Sequence, residues 1–516
     1  MERTHAHEQH EAAPAGSELP RSHPARRPPR VARKVHTLAD SLTGLLLCLM
    51  LIFSPWAFGT TQSWSIWTMN VAGFVLGGLL VLKWLIRRLT RWRAEMWGDT
   101  RDASGHVGHR HDFFTRVLGL GTLAILGYCL VSALNARSTY YPAAMQYQYY
   151  DCIQWLPHSY DSARSWRYFW TYLALALVFW SVRDWLLLKT ERDVADQKLP
   201  DLEVATGKGF HLPARLRLLL WVITINGAVL AAEGLIQRTI GTTRLLWIIE
   251  PSINKTPETQ FGPYAYRSNA AQWFLLAWPL VLGFWWLARG RARYHVTRFS
   301  LHNDILVGAF VMALIPFLSL SRGAMAIGAV SIVLAAVVVI GARSGADRRM
   351  VLGVVLLLLI AIPLGIYVDW DHMKARLITE GTFDANRWEA WQNTWKVFND
   401  YPVYGTGPGT FSTVYQLYRS SLTEVWYAQA HNDYLETLMT FGVGGTCLIV
   451  VTFVSALGRR FTGSGLRVHR LFPRMIYLAL GSCLAFAAAD FPLQIHSVLF
   501  LFLIECAILS VLSERR

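Results

Sequence analysis

Charged residues are scarce in this chain of 516 residues. Asp, Glu, Lys and Arg together make up 16% of it, whereas soluble proteins contain about one quarter. Hydrophobic residues reach 53%, and there are 22 Trp. The length alone would suggest several soluble domains, but this composition excludes a soluble multidomain enzyme.

Cysteine is rare as well, and none of the six residues has the spacing of a disulfide framework or a zinc site. We also find no glycine-rich nucleotide-binding loop, so the sequence predicts no cofactor and no metal. A paired-carboxylate signature is missing too, which argues against hydrolysis through a covalent glycosyl intermediate.

Long apolar stretches are what the chain does contain. They come in blocks of about 20 residues, which is enough for a helix to cross a hydrocarbon core of ~30 Å. We therefore predict an all-α, polytopic membrane protein with about 12 transmembrane helices. The predicted spans are 38–59, 65–86, 113–134, 166–188, 216–238, 269–288, 303–320, 324–341, 350–369, 433–457, 475–492 and 497–513.

Three regions follow from these spans. Residues 1–36 are rich in His, Pro and Arg without an apolar run, and we expect a disordered, basic cytoplasmic tail. Residues 37–514 form the transmembrane domain. Residues 370–432 form a large loop inserted within it, between spans nine and ten.

The net charge of +15 is distributed unevenly over the loops. Most Lys and Arg fall on the side of the two termini, with clusters within 21–34, 87–93, 289–298 and 459–474. By the positive-inside rule this side is cytoplasmic, so the large loop faces the opposite side. The topology explains the basicity, and no nucleic acid is needed as a partner.

Two outer loops are rich in aromatic residues. Residues 135–165 contain many Tyr and Trp, which are typical either of an interfacial aromatic belt or of a surface that stacks on sugars. Residues 385–399 are predicted to be helical, with Trp388, Trp391, Trp395 and Phe398 on one face. For these four residues packing alone is the favoured interpretation.

The second half of the large loop contains a candidate base. Residues 401–409 hold three Gly and two Pro, which predict tight turns with exposed backbone N–H groups. His431-Asn432-Asp433 then opens span ten, and Asn432 or Asp433 can cap that helix. A His just ahead of a helix N-terminus is disfavoured as imidazolium, so it can act as a general base. A capping or interfacial His is the alternative.

Several arginines lie on the side that carries little positive charge. Arg322 falls in the very short Ser321-Arg322-Gly323 turn, where an Arg within the bilayer costs roughly 2.5–3.5 kcal/mol. Arg387 begins the predicted loop helix and Arg267 precedes span six. Because Arg binds oxyanions through two parallel hydrogen bonds, this set suggests a phosphate site. Snorkelling to headgroups is the alternative, and we favour it for Arg244 and Arg419.

Roughly residues 210–500 resemble the superfamily of O-antigen ligases and O-antigen polymerases. Three runs carry the resemblance: the Ser321-Arg322-Gly323 turn, the segment from Arg387 and Trp391 through Tyr401-Pro402 to Gly405-Thr406-Gly407-Pro408-Gly409, and His431-Asn432 with Leu435 and Gly442. Residues 261–280 also resemble the segment that leads into a mid-protein span. The N-terminal spans agree in hydropathy only.

The resemblance implies a metal-independent, inverting glycosyltransferase of the bacterial inner membrane with a helical fold of the membrane glycosyltransferase type. Such enzymes move a glycan from an undecaprenyl-pyrophosphate carrier to lipid A core or to another glycan at the periplasmic face. His431 corresponds to the base and Arg322 and Arg387 to pyrophosphate ligands, with Arg267 a weaker match. We expect supporting roles in the same site for Asn432, Ser321, Gly407 and Gly409.

Other functions stay open at this point. The acceptor can be a second lipid-linked glycan, as in the polymerases, or a protein. From a different class, the chain could be a transporter or flippase of lipid-linked glycan, which predicts charges near the midplane. Glu505 and Glu233 lie in spans, but a polar clamp between helices explains either one, and Asn226 could bond Glu233. The large outer loop with Arg and His favours the enzyme.

Overall fold

The fold was analysed in a computed structural model that describes residues 29–92, 94–97, 110–196, 212–292, 301–341, 348–368, 385–420, 426–458 and 466–514. This part of the chain is mostly helical. Seven of its helices are long and apolar enough to cross a membrane, and four shorter helices are also apolar. The prediction of a polytopic membrane protein is therefore confirmed.

The helices follow one another with short connections in most places. They are α1 (Arg30–Trp56), α2 (Ser63–Leu89), α3 (Arg110–Leu134), α4 (Ser162–Leu187), α5 (Glu191–Asp196), α6 (Ala214–Ile240), α7 (Arg267–Ala292), α8 (Leu301–Leu318), α9 (Arg322–Gly341), α10 (Arg348–Val368), α11 (Ala385–Asp400), α12 (Phe411–Val414), α13 (Asp433–Gly458), α14 (Leu471–Ala487) and α15 (His496–Val511).

A helix lies over each of the twelve predicted spans, but two boundaries differ in ways that matter. Helix α1 begins at Arg30, ahead of the expected boundary at residue 37, and the tail before residue 29 lies outside the described residues. Helix α14 ends at Ala487, whereas the prediction continued the span to residue 492. Asp490 consequently lies in the connection to α15, outside either helix.

The expectation of a purely helical chain needs one correction. Strands β1 (Ser138–Tyr141) and β2 (Gln146–Tyr149) form an antiparallel hairpin between α3 and α4. Strands β3 (Leu466–Val468) and β4 (Leu512–Glu514) form a short parallel pair. The alternation of Tyr with Ser, Thr and Gln in 138–149 suits a half-buried strand, and the apolar-block criterion does not detect it.

Helix α7 is the centre of the bundle. Its most apolar stretch is 100% buried. Trp273, Trp278 and Trp285 of this helix are among the largest fully buried side chains. Helices α8 and α14 pack against it. A helix that is apolar on all sides is buried on all sides, so α7 fixes the position of Arg267 at its first turn.

A break in α13 fixes the position of the glycine-rich turn of the large loop. Gly442 has φ +59° and ψ −172°, so the helix is interrupted there. The turn at 401–407 docks into the break, because the N–H groups of Thr406 and Gly407 donate to the carbonyls of Met439 and Thr440 at 2.9 Å each. The first turns of α13 and the Gly-rich turn therefore form one unit at what we call the loop end of the bundle, the end that carries residues 135–161, 241–266, 385–420 and 426–432.

One predicted contact is wrong. Asn226 does not bond Glu233: its Nδ2 donates to the Leu51 carbonyl at 3.1 Å, and its Oδ1 accepts from the indole of Trp56 at 2.7 Å. Asn226 thus ties α6 to α1, which is the interhelical role of a polar residue in a membrane bundle.

Candidate active site

His431 lies directly before α13 in an uncommon backbone conformation. Its φ is +51°, in the left-handed region that side chains other than Gly rarely adopt. The next residue, Asn432, caps the helix: its Oδ1 accepts from the N–H groups of Tyr434 and Leu435 at 3.1 Å each. The predicted cap is confirmed. The positive φ of His431 turns the chain sharply ahead of α13, and the imidazole points back to the α14–α15 connection.

The imidazole of His431 is held by a buried carboxylate. His431 Nδ1 lies 3.0 Å from Asp490 Oδ1, and Asp490 is only 2% exposed. A carboxylate can only accept, so Nδ1 carries the hydrogen, and in the neutral ring Nε2 then holds the lone pair. The ring also packs edge-on against Phe491, with centroids 4.8 Å apart. This arrangement fixes both the orientation and the tautomer of the ring, which is what a general base at this position would need.

The second oxygen of Asp490 is occupied as well. Ser268 Oγ donates to Oδ2 at 2.6 Å and Gln272 Nε2 donates at 3.2 Å, both from the first turns of α7. Ser268 Oγ also lies 3.2 Å from Ser321 Oγ, beside Arg322. The central helix α7 therefore fixes the carboxylate that orients His431. The hydroxyls of Ser268 and Ser321 connect this carboxylate to the turn before α9.

The three predicted arginines line one cavity. It has a volume of about 290 Å³ and lies at the loop end between α7, α9, α11 and the end of α14. Arg267, Arg322 and Arg387 share it with Asp490, and the remaining lining residues are Tyr266, Ser268, Ser321, Gly323, Ile327, Trp388, Trp391, Phe486 and Ala489. Three guanidinium groups against one carboxylate make this cavity cationic, which suits a phosphorylated ligand.

Local structure holds two of these arginines in place. Arg267 Nη1 donates to the Glu258 carbonyl, and Arg387 Nη1 donates to the Ala489 carbonyl at 2.9 Å, next to Asp490. Arg322 opens α9 after the turn at 319–321, where Leu320 has φ +56°. Positive φ in Leu is costly, so this turn and His431 are two strained positions at one site.

Tyr266 adds a hydroxyl to the cavity. Burial, together with the nearby Asp490 carboxylate, raises the pKa of Tyr266 to about 12, although Arg387 and Arg267 act in the opposite direction. Its ring stacks on Phe491 with centroids 5.9 Å apart and 10° between the planes. The phenol therefore stays protonated at neutral pH and can donate to an oxyanion in the cavity.

Four residues that the sequence grouped with the site do not line this cavity. His431 lies beside it, through its contact with Asp490. Asn432 is the helix cap. Gly407 (φ +105°) contacts Ser159 and Gly409 (φ +76°) contacts Tyr168 so closely that a Cβ at either position would collide. The expected exposed N–H groups of this turn are also not seen at Thr406 and Gly407, whose N–H groups bond α13. These glycines shape the loop that carries α11 and His431.

Sequence reasoning missed five residues of the site. Asp490 and the pair Tyr266 and Ser268 were hidden because they lie at the ends of predicted spans, where polar residues are common. Trp388 and Trp391 were assigned to packing alone, yet both line the cavity, and Trp391 Nε1 also donates to the Ala430 carbonyl next to His431. An acidic residue at the end of an otherwise apolar span was the one usable signal for Asp490.

The aromatic loop at 135–161 contains the hairpin of β1 and β2. Strand pairing places Tyr140, Tyr147 and Tyr149 on one face of the hairpin, since paired residues and every second residue share a face. Tyr140 also lies 6.5 Å from Trp426, ring to ring, so the hairpin contacts the large loop.

Among the described residues no group of three or more His, Cys, Asp or Glu is placed to hold a metal ion.

Comparison with known proteins identifies part of the chain. No curated protein matches it. A family model described as O-Antigen ligase matches residues 307–450, which include Arg322, Arg387 and His431 but not Arg267 or Asp490. Residues 307–450 of this membrane protein therefore carry the O-antigen ligase domain that the sequence resemblance indicated.

Proposed function

We propose that the chain is an O-antigen ligase-like glycosyltransferase that moves a glycan from undecaprenyl pyrophosphate to an acceptor hydroxyl, on lipid A core or on another glycan. The observation that carries the proposal is the convergence of His431, its partner Asp490 and three arginines at one end of the bundle. The family match supports the class of reaction. A base beside a cationic cavity is what transfer from a pyrophosphate donor requires.

The topology of the proposal comes from the charge distribution. Twelve spans put both termini in the cytoplasm and the loop end at the periplasmic face of the inner membrane. At that face no nucleotide is needed, because the lipid pyrophosphate is already a good leaving group. The described parts of the large loop, 385–420 and 426–432, would then lie at this face, where they supply Arg387 and His431 to the site.

In the proposed reaction His431 Nε2 accepts the proton of the acceptor hydroxyl while its oxygen attacks the anomeric carbon. The bond between that carbon and the pyrophosphate oxygen breaks, and the electron pair leaves with the pyrophosphate. Arg267, Arg322 and Arg387 stabilise the charge that develops there, and Asp490 stabilises the imidazolium. Direct displacement inverts the anomeric configuration, and no metal takes part.

Product analysis in liposomes tests this proposal. Purified protein receives a labelled undecaprenyl-pyrophosphate glycan with and without lipid A core, and His431→Ala protein runs in parallel. We expect a new glycosidic product that depends on His431. Transfer to lipid A core identifies a ligase, and transfer to a second donor molecule identifies a polymerase. Labelled lipid that crosses the bilayer without any product would refute the enzyme and identify a transporter.

A further inference from the structure

Helix α11 carries an exposed stripe of side chains on one face. Trp388, Gln392, Trp395 and Asn399 follow one another at i, i+4, i+7 and i+11, which is the spacing of residues on one side of a helix. All four side chains are exposed, with Trp388 at 49% and Trp395 at 48%. We call this face the α11 stripe. Packing does not account for two indoles that stay half exposed side by side, and such a surface is typical of a binding site.

The opposite face of α11 holds the helix in place. Ala390, Asn393, Thr394 and Val397 are at most 1% exposed, and they lie about 180° around the helix from the stripe. Helix α11 packs against the start of α13 and against residues 411–418. Because these contacts fix the helix, the direction of the stripe is fixed as well. A preorganised surface of this kind binds a ligand with little loss of conformational entropy.

The stripe begins at the cavity of Arg267, Arg322 and Arg387, which we call the arginine cavity. Trp388 lines this cavity and follows directly after Arg387 in α11. From Trp388 to Asn399 the helix extends by about 17 Å, at 1.5 Å per residue. A sugar chain that is attached to a pyrophosphate in the cavity and leaves it past Trp388 therefore continues along the stripe.

The composition of the stripe suits an oligosaccharide. A sugar ring has an apolar C–H face, which packs on an indole, and hydroxyl groups at its edge, which need both donors and acceptors of hydrogen bonds. The side-chain amides of Gln392 and Asn399 provide both. The four residues of the stripe carry no charge, whereas a further phosphate group would require cations.

A membrane surface is the other partner that exposed Trp residues can indicate. A helix that lies in the headgroup layer presents a continuous apolar face to the acyl chains. The α11 stripe instead alternates an indole with an amide along its whole length. An amide that is moved into hydrocarbon without a hydrogen-bond partner is costly, so this alternation favours a sugar chain over a lipid surface.

We propose that the α11 stripe binds the glycan of the donor, with the sugars beyond the reacting one packed against Trp388 and Trp395. The donor is the source because the stripe starts at the cavity that is assigned to its pyrophosphate. This inference rests on the proposed glycosyltransferase function and adds a subsite for the transferred chain. A donor that carries several sugars should accordingly bind more tightly than a donor that carries one.

The test uses substitutions of Trp395, which belongs to the stripe but does not line the arginine cavity. Trp395→Ala removes the indole, and Trp395→Tyr keeps a flat ring and should retain most of the binding. Trp426→Ala is the matched control, since Trp426 is also 48% exposed in the same large loop but contacts Tyr140 of the hairpin. Because both indoles are exposed, we expect all three variants to fold, which monodispersity in detergent reports.

Native mass spectrometry measures the binding of undecaprenyl pyrophosphate without a sugar, with one sugar and with a glycan of several sugars. We expect wild type to bind the last of these lipids most tightly. Trp395→Ala should weaken the binding of the long glycan by about tenfold, or about 1.4 kcal/mol, and leave the other two lipids within twofold of wild type. Initial rates should show the same increase in the donor KM, with the acceptor KM and kcat within twofold. Trp426→Ala should match wild type throughout.

Three results would overturn the inference while the proposed function stands. The first is an equal weakening of all three lipids by Trp395→Ala, which would assign this residue to the fold or to the membrane surface. The second is a rise in the acceptor KM alone, which would place the acceptor glycan on the stripe. The third is binding of the long glycan that Trp395→Ala leaves unchanged, or that Trp426→Ala weakens to the same extent. Absence of any His431-dependent product in wild type would instead refute the proposed function, and the binding series would still decide whether the stripe holds the glycan.

Discussion

His431 and Asp490 are 59 residues apart in the chain, and their side chains meet at 3.0 Å. The contact joins the capped start of α13 to the turn after α14. It gives His431 a partner that would stabilise the imidazolium formed when a proton is taken up. The base of the proposed reaction is therefore a pair of residues held by three helices.

Asp490→Asn should lower kcat by on the order of 10²–10⁴-fold with little change in the donor KM. An Asn keeps the shape, but its amide can donate to Nδ1 and so favour the tautomer with hydrogen on Nε2, which cannot accept a proton. The readout is the pH profile of kcat beside the two KM values. Gln272→Leu removes one of the two contacts that α7 makes with the same carboxylate and should cost much less. Equal losses in the two variants would assign Asp490 a merely structural role.

Arg322→Ala should raise the donor KM by roughly 10–100-fold, since a charge-assisted contact contributes about 1.5–3 kcal/mol. Arg322→Lys keeps the charge and loses the paired donors, so we expect it to recover only part of the affinity. Donor binding to the two variants can be measured by titration with the labelled lipid. Arg244→Ala, which changes an arginine outside the cavity, serves as the control. A donor affinity equal to wild type in Arg322→Ala would remove this residue from the pyrophosphate site.

Tyr266→Phe should reduce kcat/KM for the donor by about tenfold, the lower end of the range for one hydrogen bond to a charged group. The pKa of about 12 keeps the phenol protonated up to well above pH 9, because a raised pKa favours the neutral form over that whole range. The phenol should therefore not titrate between pH 7 and 9, and the rates of wild type and Tyr266→Phe should depend on pH in the same way over this range. The result that would contradict this is a loss of rate in wild type that is absent from Tyr266→Phe. Such a loss would indicate that the phenol titrates and that its environment differs from the one described.

The positions of the helices in the bundle could be predicted from the sequence, because a transmembrane span has a strong hydropathy signal. Blocks of about 20 apolar residues located a helix at each predicted span. The signals for helix starts limited the cap of α13 to Asn432 or Asp433, and Asn432 is the cap. Three arginines and one histidine could also be selected, because charge on the poorly charged side is conspicuous. Their meeting at one cavity depends on α7, α9 and α11 packing together, which no local pattern encodes.

What the sequence did not show has physical causes. Asp490 lies at the end of a span that hydropathy extended to residue 492, since Phe491 and Pro492 look like a continuation of the apolar run. The hairpin at 138–149 is short and stabilised by its contacts with the large loop, so its pattern is weak. The Gly-rich turn predicted exposed N–H groups, but Gly442 breaks α13 and leaves free carbonyl groups that bind them.

Lys83→Met should destabilise the bundle strongly at the end away from the loop end. Lys83 is 0% exposed, and its Nζ contacts Asp40 at 3.3 Å and Asp184 at 2.9 Å, with Arg87 and Arg215 pairing the same two carboxylates. Removing one partner of a buried ion pair costs about 3–5 kcal/mol, and we expect the lower end of this range because Asp40 and Asp184 each keep one arginine. Thermal unfolding in detergent should show a clear drop in Tm. Arg33→Ala, which breaks the exposed pair with Glu191, should change Tm little. Similar small changes in both variants would show that this network does not hold α1, α2, α4 and α6 together.

Gly442→Ala should separate the large loop from α13. At φ +59° an added Cβ is strained, and it would lie 2.4 Å from the Val403 carbonyl oxygen, far inside contact distance. The turn at 401–407 would have to withdraw, and with it the bonds from Thr406 and Gly407 that fix the loop before His431. We expect a lower Tm in detergent and loss of activity together. Gly444→Ala is the matched control, because its Cβ would lie 3.3 Å from the same oxygen without positive φ, so this protein should stay folded and active. If Gly442→Ala retained wild-type Tm and turnover, the docking of this turn would not be what positions His431.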